Sequence, residues 1–283
     1  MATYRQTLRN AVVVCHQAGV NEMLARRLML ELTEQYQLNL YLVDDEEIDE
    51  KILIEFSAGL KRLCDHEPLA HILGYEWFFG RKFSVSKDVL VPRDETEELI
   101  GHILSDIDEL FNQGELICAD IGTGSGALAI TLKAEEPRCR VWASDISEQA
   151  LAIAKKNADD LDVEVTFVLG DMAQPLIDRQ VKLDLCISNP PYIKKAETVE
   201  RSVVDFEPHV ALFGGADGLD LYRKLLDQAP MLMKERSMMA FEMGFDQKSS
   251  LQHEIVIRFP TARIEFKKDI NGKDRMCFVY FNC

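Results

Sequence analysis

From about residue 92 the sequence alternates short apolar runs with amphipathic stretches, and that alternation limits the folds open to it more than any other feature. The periodicities predict helix 94–111, strand 116–121, helix 126–134, strand 140–145, helix 147–160, strand 164–169 and strand 183–188. Helix 218–233, strand 237–243, helix 247–259 and strands 261–267 and 275–281 follow. Strands separated by helices pair in parallel, and the helices then cover both faces of the sheet. The expected class is therefore α/β, with a mostly parallel sheet. The last two strands are joined through Asn271-Gly272 with no helix between them, which predicts an antiparallel hairpin at the end of that sheet.

Residues 1–75 differ. Apolar residues recur there at helical spacing, as in Leu24, Leu28 and Leu32 or Ile52, Phe56, Leu60 and Leu63, so this part reads as a small all-helical domain. Residues 76–91 carry short β-branched and aromatic runs around Gly80 and Ser84 to Ser86, the pattern of a hairpin-like connector. Residues 92–283 make up the larger α/β domain.

The 48 acidic residues outnumber the 32 basic ones, giving a formal net charge of -16. Such a chain repels a phosphate backbone, so no direct nucleic-acid partner is expected, and an acidic surface suits a basic protein partner. The longest early apolar run, Ala11 to Cys15, is too short for a signal peptide or a membrane span, so a cytoplasmic protein without membrane attachment is expected. The seven cysteines are odd in number and never spaced C-x-x-C, which predicts reduced packing residues.

Asp120-Ile121-Gly122-Thr123-Gly124-Ser125-Gly126 lies between a predicted buried strand and a helix. Glycines there permit a tight turn and close approach of backbone to a ligand. The spacing is G-x-G-x-G and lacks the G-x-G-x-x-G of dinucleotide binders, which favours a nucleoside ligand over a pyrophosphate. Asp145 ends the next strand 23 residues after Gly122, where a carboxylate can accept both hydrogen bonds of a ribose diol. Its structural alternative is a helix N-cap, a task Ser147 can perform. Asp171 and Met172 end the third strand, where they are placed to lie against an adenine.

Ser188-Asn189-Pro190-Pro191-Tyr192-Ile193 follows the fourth strand directly. Two prolines stiffen the loop and bring no N–H to compete for an acceptor. The Asn189 side-chain oxygen and the Pro190 carbonyl can then take both hydrogens of an NH2 group, with Tyr192 flat against the planar group that carries it. An amide or aniline-like nitrogen is a poor nucleophile because its lone pair is delocalised. Two acceptors on its hydrogens favour the geometry in which that lone pair faces an electrophilic methyl. His66-Glu67-Pro68-Leu69-Ala70-His71 superficially suggests a zinc motif, but its histidines are five apart and Pro68 is expected to interrupt any helix. No metal site is expected, and no Ser-His-Asp or Cys-His arrangement stands out.

Taken together, these residues resemble the PrmC/HemK protein-(glutamine) methyltransferases that act on peptide chain release factors. The resemblance runs through Pro68 to Gly74, Val91 to Leu99, the Gly122 turn, Asp145 to Ser147, Asn189 to Ile193, Phe206-Glu207-Pro208, Gly214 to Arg223, Glu242-Met243-Gly244 and Asp269 to Arg275. It implies a Rossmann-like, class I S-adenosylmethionine-dependent methyltransferase with a seven-stranded sheet and a helical N-terminal domain for substrate recognition. It further implies that Gly122, Thr123, Gly124, Ser125, Gly126, Asp145, Asp171, Met172 and Asn189 contact S-adenosyl-L-methionine, whose product is S-adenosyl-L-homocysteine. Asn189, Pro190, Pro191 and Tyr192 would hold the glutamine of the release factors' Gly-Gly-Gln motif, with Asn189, Pro190 and Tyr192 catalytic. Two departures stand out. Asp94 replaces a proline usual in the family, which is expected to loosen the loop leading into the catalytic domain, and Lys234-Glu235-Arg236 occupies a stretch often richer in glycine.

Three other activities share parts of this pattern. A glutamine methyltransferase of a large-subunit ribosomal protein has the same Asn-Pro-Pro-Tyr loop, but the F-E-P and G-G-A-D-G-L-D-L-Y-R segments favour the release-factor enzymes. Adenine methylation in DNA or RNA needs base flipping and a surface for the backbone, against which the acidic balance argues. A catalytically dead binding protein is disfavoured by the joint presence of Asp145 and Asn189.

Overall fold

The computed structural model describes residues 2–111, 114–198 and 200–283. The chain divides into two compact units, one running through Tyr75 together with the short segment ending at Phe206, the other taking in Glu76–Thr198 and Glu207–Cys283.

The first unit contains α1 (Tyr4–Ala18), α2 (Glu22–Gln35), α3 (Leu40–Val43), α4 (Glu50–Cys64) and α5 (Leu69–Leu73). Thr3, Asn21, Asn39 and Asp49 each cap the helix that follows by accepting a backbone N–H, and Thr3 completes a capping box with Gln6. Ile52, Phe56 and Leu63 fall on one face of α4 and pack with Tyr4, Cys15, Leu28 and Met29 into a core of their own. As expected, no helix runs across Pro68: α4 ends at Cys64 and α5 begins at Leu69. Pro68 is the N-cap of α5, where its fixed φ is compatible and its missing N–H costs nothing.

The chain then forms a hairpin from β1 (Tyr75–Phe78) and β2 (Arg81–Ser84). Phe79 and Gly80 both have positive φ, 49° and 73°, the conformation a two-residue turn needs to match strand twist. Next come α6 (Asp94–Leu110), β3 (Leu116–Ile121), α7 (Ala127–Glu135), β4 (Cys139–Asp145), α8 (Glu148–Asp160), β5 (Thr166–Leu169), α9 (Gln174–Asp178) and β6 (Leu183–Ser188). A one-turn helix, α10 (Arg201–Val204), is grouped with the first unit. After it come α11 (Asp220–Leu232), β7 (Met233–Glu242), α12 (Lys248–Arg258), β8 (Arg263–Lys268) and β9 (Asp274–Phe281).

The seven strands are ordered β5-β4-β3-β6-β7-β9-β8. All neighbours are parallel except β7 with β9 and β8 with β9, so the C-terminal hairpin is antiparallel and its return strand lies inside the sheet. Successive residues of a strand point to opposite faces, and here both faces are covered. Cys118, Leu185, Ile187, Met238 and Phe278 pack beneath α6 and α7, while Ala119, Cys186, Met239, Phe241 and Val279 pack beneath α11 and α12. All seven cysteines are free, and Cys15, Cys118, Cys139, Cys186 and Cys277 are buried. Among the described residues no helix is long and apolar enough to cross a membrane.

Several elements differ from expectation. β7 begins at Met233, not 237, because Met233 pairs with Leu183 across an irregularity before the register resumes at Leu185 and Met238. Lys234 within it reaches Asp184 at 2.6 Å, and Arg236 donates to the Leu110 carbonyl at 2.7 Å. Asp94 is the first residue of α6, and with Glu95 and Glu97 it places negative charge where the helix dipole is positive. The short helices α9 and α10 carry too few residues to show a periodicity in sequence.

Candidate active site

Strand order reverses between β3 and β6, and a parallel sheet opens a crevice at the carboxyl ends of strands where that happens. A cleft of about 1080 Å³, open to solvent, lies there. Gly122, Thr123, Gly124, Ser125, Asp145, Asp171, Met172, Asn189 and Pro191 all line it, whereas Gly126, Pro190 and Tyr192 are not among its lining residues. Val91, Pro92, Thr96, Pro208, Val210 and Ala211 also belong to the wall.

The glycine turn leaves β3 with Gly122, Gly124 and Gly126 all at positive φ (79°, 55° and 83°), which side chains disfavour. A Cβ on Gly122 or Gly124 would meet no protein atom within 4 Å, whereas one on Gly126 would press on Ile130 and Ala154. Two glycines thus expose backbone on the open side of the turn, and the third lets α7 pack on α8. The end of β4 holds the turn. The Ser144 carbonyl accepts the Gly122 and Thr123 amides at 2.8 and 3.0 Å. Asp145 Oδ2 accepts the Gly124 amide at 2.9 Å, and its Oδ1 accepts the Ser147 amide at the same distance. Ser147 is the N-cap of α8, as expected. Beneath the turn, burial pushes the Asp120 carboxyl up to about 7, although its Oδ2 accepts the Thr123 hydroxyl at 2.6 Å. Asp171 is exposed and ion-paired to Lys224, and Met172 sits at a φ of 54° with its carbonyl accepting the Ser144 hydroxyl.

The Asn189–Tyr192 loop leaves β6 at the same end of the sheet. The Ser188 hydroxyl donates to the Ile121 carbonyl at 2.6 Å, tying the end of β6 to the end of β3. Asn189 Nδ2 donates to Thr96 Oγ1 at 3.4 Å, and among the described residues no donor reaches Asn189 Oδ1 or the Pro190 carbonyl. The back of the loop is clamped. Gly214 and Gly218 run so close to the Pro191 and Tyr192 carbonyls that neither position has room for a Cβ. Ile193 exchanges backbone hydrogen bonds with Leu212 and Gly214 at 3.0 and 2.9 Å, and Gln247 Nε2 donates to the Tyr192 carbonyl at 3.0 Å.

Glu242, at the end of β7, lies behind the loop with its carboxyl buried. Its Oε2 accepts the Thr96 hydroxyl at 2.5 Å, its Oε1 accepts the Tyr192 hydroxyl at 3.3 Å, and its backbone carbonyl accepts the Tyr222 hydroxyl at 2.6 Å. Burial raises the Glu242 pKa, opposed by the Thr96 hydroxyl, the charge of Arg275 and the Tyr192 hydroxyl. Burial also raises that of Tyr192, with Glu242 adding to the effect. Glu207, whose side chain is fully buried, pairs with Arg93, and burial raises its pKa as well. No single motif of the sequence marks Thr96, Glu242 or Gln247 as a site residue. Thr96 and Glu242 lie in segments that carry the family resemblance, and Glu242 is a carboxylate at the end of an apolar strand, whereas Gln247 carries no such signal.

The sequence matches the methyltransferase small domain family over residues 101–207 and the PrmC N-terminal domain family over residues 6–74. A release factor glutamine methyltransferase of Staphylococcus aureus (strain NCTC 8325 / PS 47) is 36% identical, over 98% of each chain. One of Bacillus subtilis (strain 168) is 39% identical, over 97% of this chain and 96% of the relative. Among solved structures, the N-terminal domain of human METTL16 in complex with SAH superimposes with a TM-score of 0.52 at 14% identity, over 82% of each chain. That likeness shows the class I methyltransferase fold, a seven-stranded mostly parallel sheet between helices. With two relatives matching almost end to end at more than a third of positions, the chain belongs to the release factor glutamine methyltransferase family.

Proposed function

We propose that the protein transfers a methyl group from S-adenosylmethionine to the side-chain amide nitrogen of the glutamine in the Gly-Gly-Gln motif of peptide chain release factors, and so modulates translation termination. The observation that carries this reading is a pair of acceptors, Asn189 Oδ1 and the Pro190 carbonyl, left without donors among the described residues on a rigid loop beside the cleft. The names of the relatives point to the same substrate.

The donor set fits the cofactor. Gly122 and Gly124 expose backbone to open space, and both oxygens of Asp145 are anchored by amides yet keep further lone pairs for a diol. Gly122 through Gly126, Asp145, Asp171, Met172 and Asn189 would hold it, and when bound it would supply an electrophilic methyl carbon and leave as S-adenosyl-L-homocysteine with the electron pair of the broken carbon–sulfur bond. Asn189 Oδ1 and the Pro190 carbonyl each take one hydrogen of the glutamine NH2, which turns the nitrogen lone pair toward that carbon. As the N–C bond forms, positive charge develops on nitrogen, and the same two acceptors stabilise it. Tyr192 lies against the amide plane. No base is needed before transfer, because the nitrogen becomes acidic only once methylated and its proton then leaves to water.

Residues 1–75 are assigned to recognition of the protein substrate, 76–91 to the connector and 92–283 to cofactor binding and chemistry. A net charge of -16 suits a basic protein substrate in the cytoplasm, and neither nucleic-acid contact nor a membrane enters the reading. The test supplies labelled S-adenosylmethionine to the protein with a release factor, ribosomal proteins and nucleic acids in separate reactions, then locates the label by mass spectrometry. Label on the Gly-Gly-Gln glutamine is expected. Label only on a ribosomal protein or an adenine rejects the assignment.

A further inference from the structure

We propose that Thr96 and Glu242 are positioning residues that set which way the Asn189 amide faces, an inference that rests on the amide-methylation reading above. A hydroxyl has one hydrogen, and a carboxylate only accepts. Thr96 Oγ1 lies 2.5 Å from Glu242 Oε2, so its hydrogen is committed to Glu242. Toward Asn189 it can therefore only accept, and Asn189 must present Nδ2, which it does at 3.4 Å. The opposite edge of the amide, Oδ1, then faces away from Thr96 with no donor among the described residues on it. Were the amide flipped, a donor would meet the N–H groups of the substrate and the geometry for methylation would be lost.

Three features support a purpose beyond packing. Glu242 is buried, and a carboxylate is a costly way to fill a core unless its hydrogen bonds matter to the fold or the site. Its two oxygens serve two different residues of the same site, Thr96 on α6 and Tyr192 on the loop. Its own place is fixed, with the Tyr222 hydroxyl on its carbonyl and its strand paired on both sides, Phe241 with Ser188 of β6 and Glu242 with Met276 of β9.

The test compares single-turnover methyl transfer to a release factor, at saturating cofactor, for wild type, Thr96→Val, Thr96→Ser, Glu242→Gln and Asn189→Ala. Misaligning a reacting group from a distance costs up to about 100-fold in rate, so Thr96→Val should lose about 10- to 100-fold in kcat. Its KM for the release factor and its cofactor Kd should stay within about twofold, the signature of an interaction that matters in the transition state. Thr96→Ser, which keeps the hydroxyl, should recover turnover. Glu242→Gln leaves one oxygen for two hydroxyls and should lower kcat in the same way; if Thr96→Val does not fold, this variant decides. Wild-type turnover in Thr96→Val, or in a folded Glu242→Gln, beside a collapsed Asn189→Ala overturns the positioning role alone. Equal losses in Thr96→Ser and Thr96→Val also overturn it, because packing would then be the cause. An active Asn189→Ala would overturn the reading of the loop and this inference with it.

Discussion

Asp145 and Gly124 are joined by a hydrogen bond of 2.9 Å that links the end of one strand to the turn after its neighbour. With the Ser147 amide on its other oxygen, the carboxylate is fixed before any ligand arrives. This preorganisation lets one side chain shape the turn while keeping lone pairs for the ribose diol that we propose it binds.

Asp145→Ala should therefore weaken cofactor binding by about 1.5–3 kcal/mol, roughly 10- to 150-fold in Kd, from losing a charge-assisted acceptor. Calorimetric titration checks this. A folded variant with unchanged affinity would remove Asp145 from the cofactor site.

Asn189→Ala should cut turnover by about 100- to 1,000-fold, the usual cost of deleting one preorganised polar contact to a transition state. Cofactor affinity should change far less. Single-turnover kinetics beside a cofactor titration separates the two, and an effect on binding alone would make Asn189 a cofactor ligand without a part in the chemistry.

Gly218→Ala tests the clamp behind the loop. Gly218 has a φ of 79° and lies against the Tyr192 carbonyl and the Gln247 amide, so a methyl group there is both strained and obstructed. The backbone term alone is about 1–3 kcal/mol. The denaturant midpoint should fall with an unchanged slope, and turnover should fall further than that loss of stability explains. Wild-type stability would show that the segment yields freely.

Asp120→Asn probes the buried carboxyl under the glycine turn. Burial raises its pKa to about 7 in the fold, against an ordinary value of about 4, so the folded state binds the extra proton. The stabilising contribution of that proton is fully present below about pH 4 and is lost as pH rises through about 7. The wild type should therefore lose stability relative to Asp120→Asn between pH 6 and 8, by about 1 kcal/mol or roughly 2–4 °C in Tm. Parallel melting curves for the two proteins across that range would count against a raised pKa.

What could be read from the sequence follows from how local each signal is. Strands 116–121 and 183–188 match to the residue, because a strand buried on both faces must be apolar nearly throughout and its ends are marked by Gly122 and Asn189. The glycine turn and the Asn189 loop were visible because each is contiguous. Thr96 and Glu242 are 146 residues apart, and only the pairing of β7 beside β6, with α6 packed over the sheet, brings them together. Gly214 and Gly218 gave no sign of which carbonyls they make room for, since close approach is a tertiary fact. The start of β7 was misplaced because Lys234, Glu235 and Arg236 look unlike a strand, although Lys234 and Arg236 find partners at its edge.

The reversal of strand order at β3 and β6 also bears on how such a chain can change by descent. Residues assigned to the cofactor issue mainly from β3, β4 and β5, while those assigned to the acceptor issue from β6 and β7, and the Ser188 hydroxyl on the Ile121 carbonyl joins the two halves. Apart from Asn189, the two sets of side chains come from different strands. A lineage can accordingly exchange the molecule it modifies while keeping most of the grip on its methyl donor, and a mutant library confined to the β6–β7 half with Asn189 spared would explore new acceptors at little cost to donor affinity.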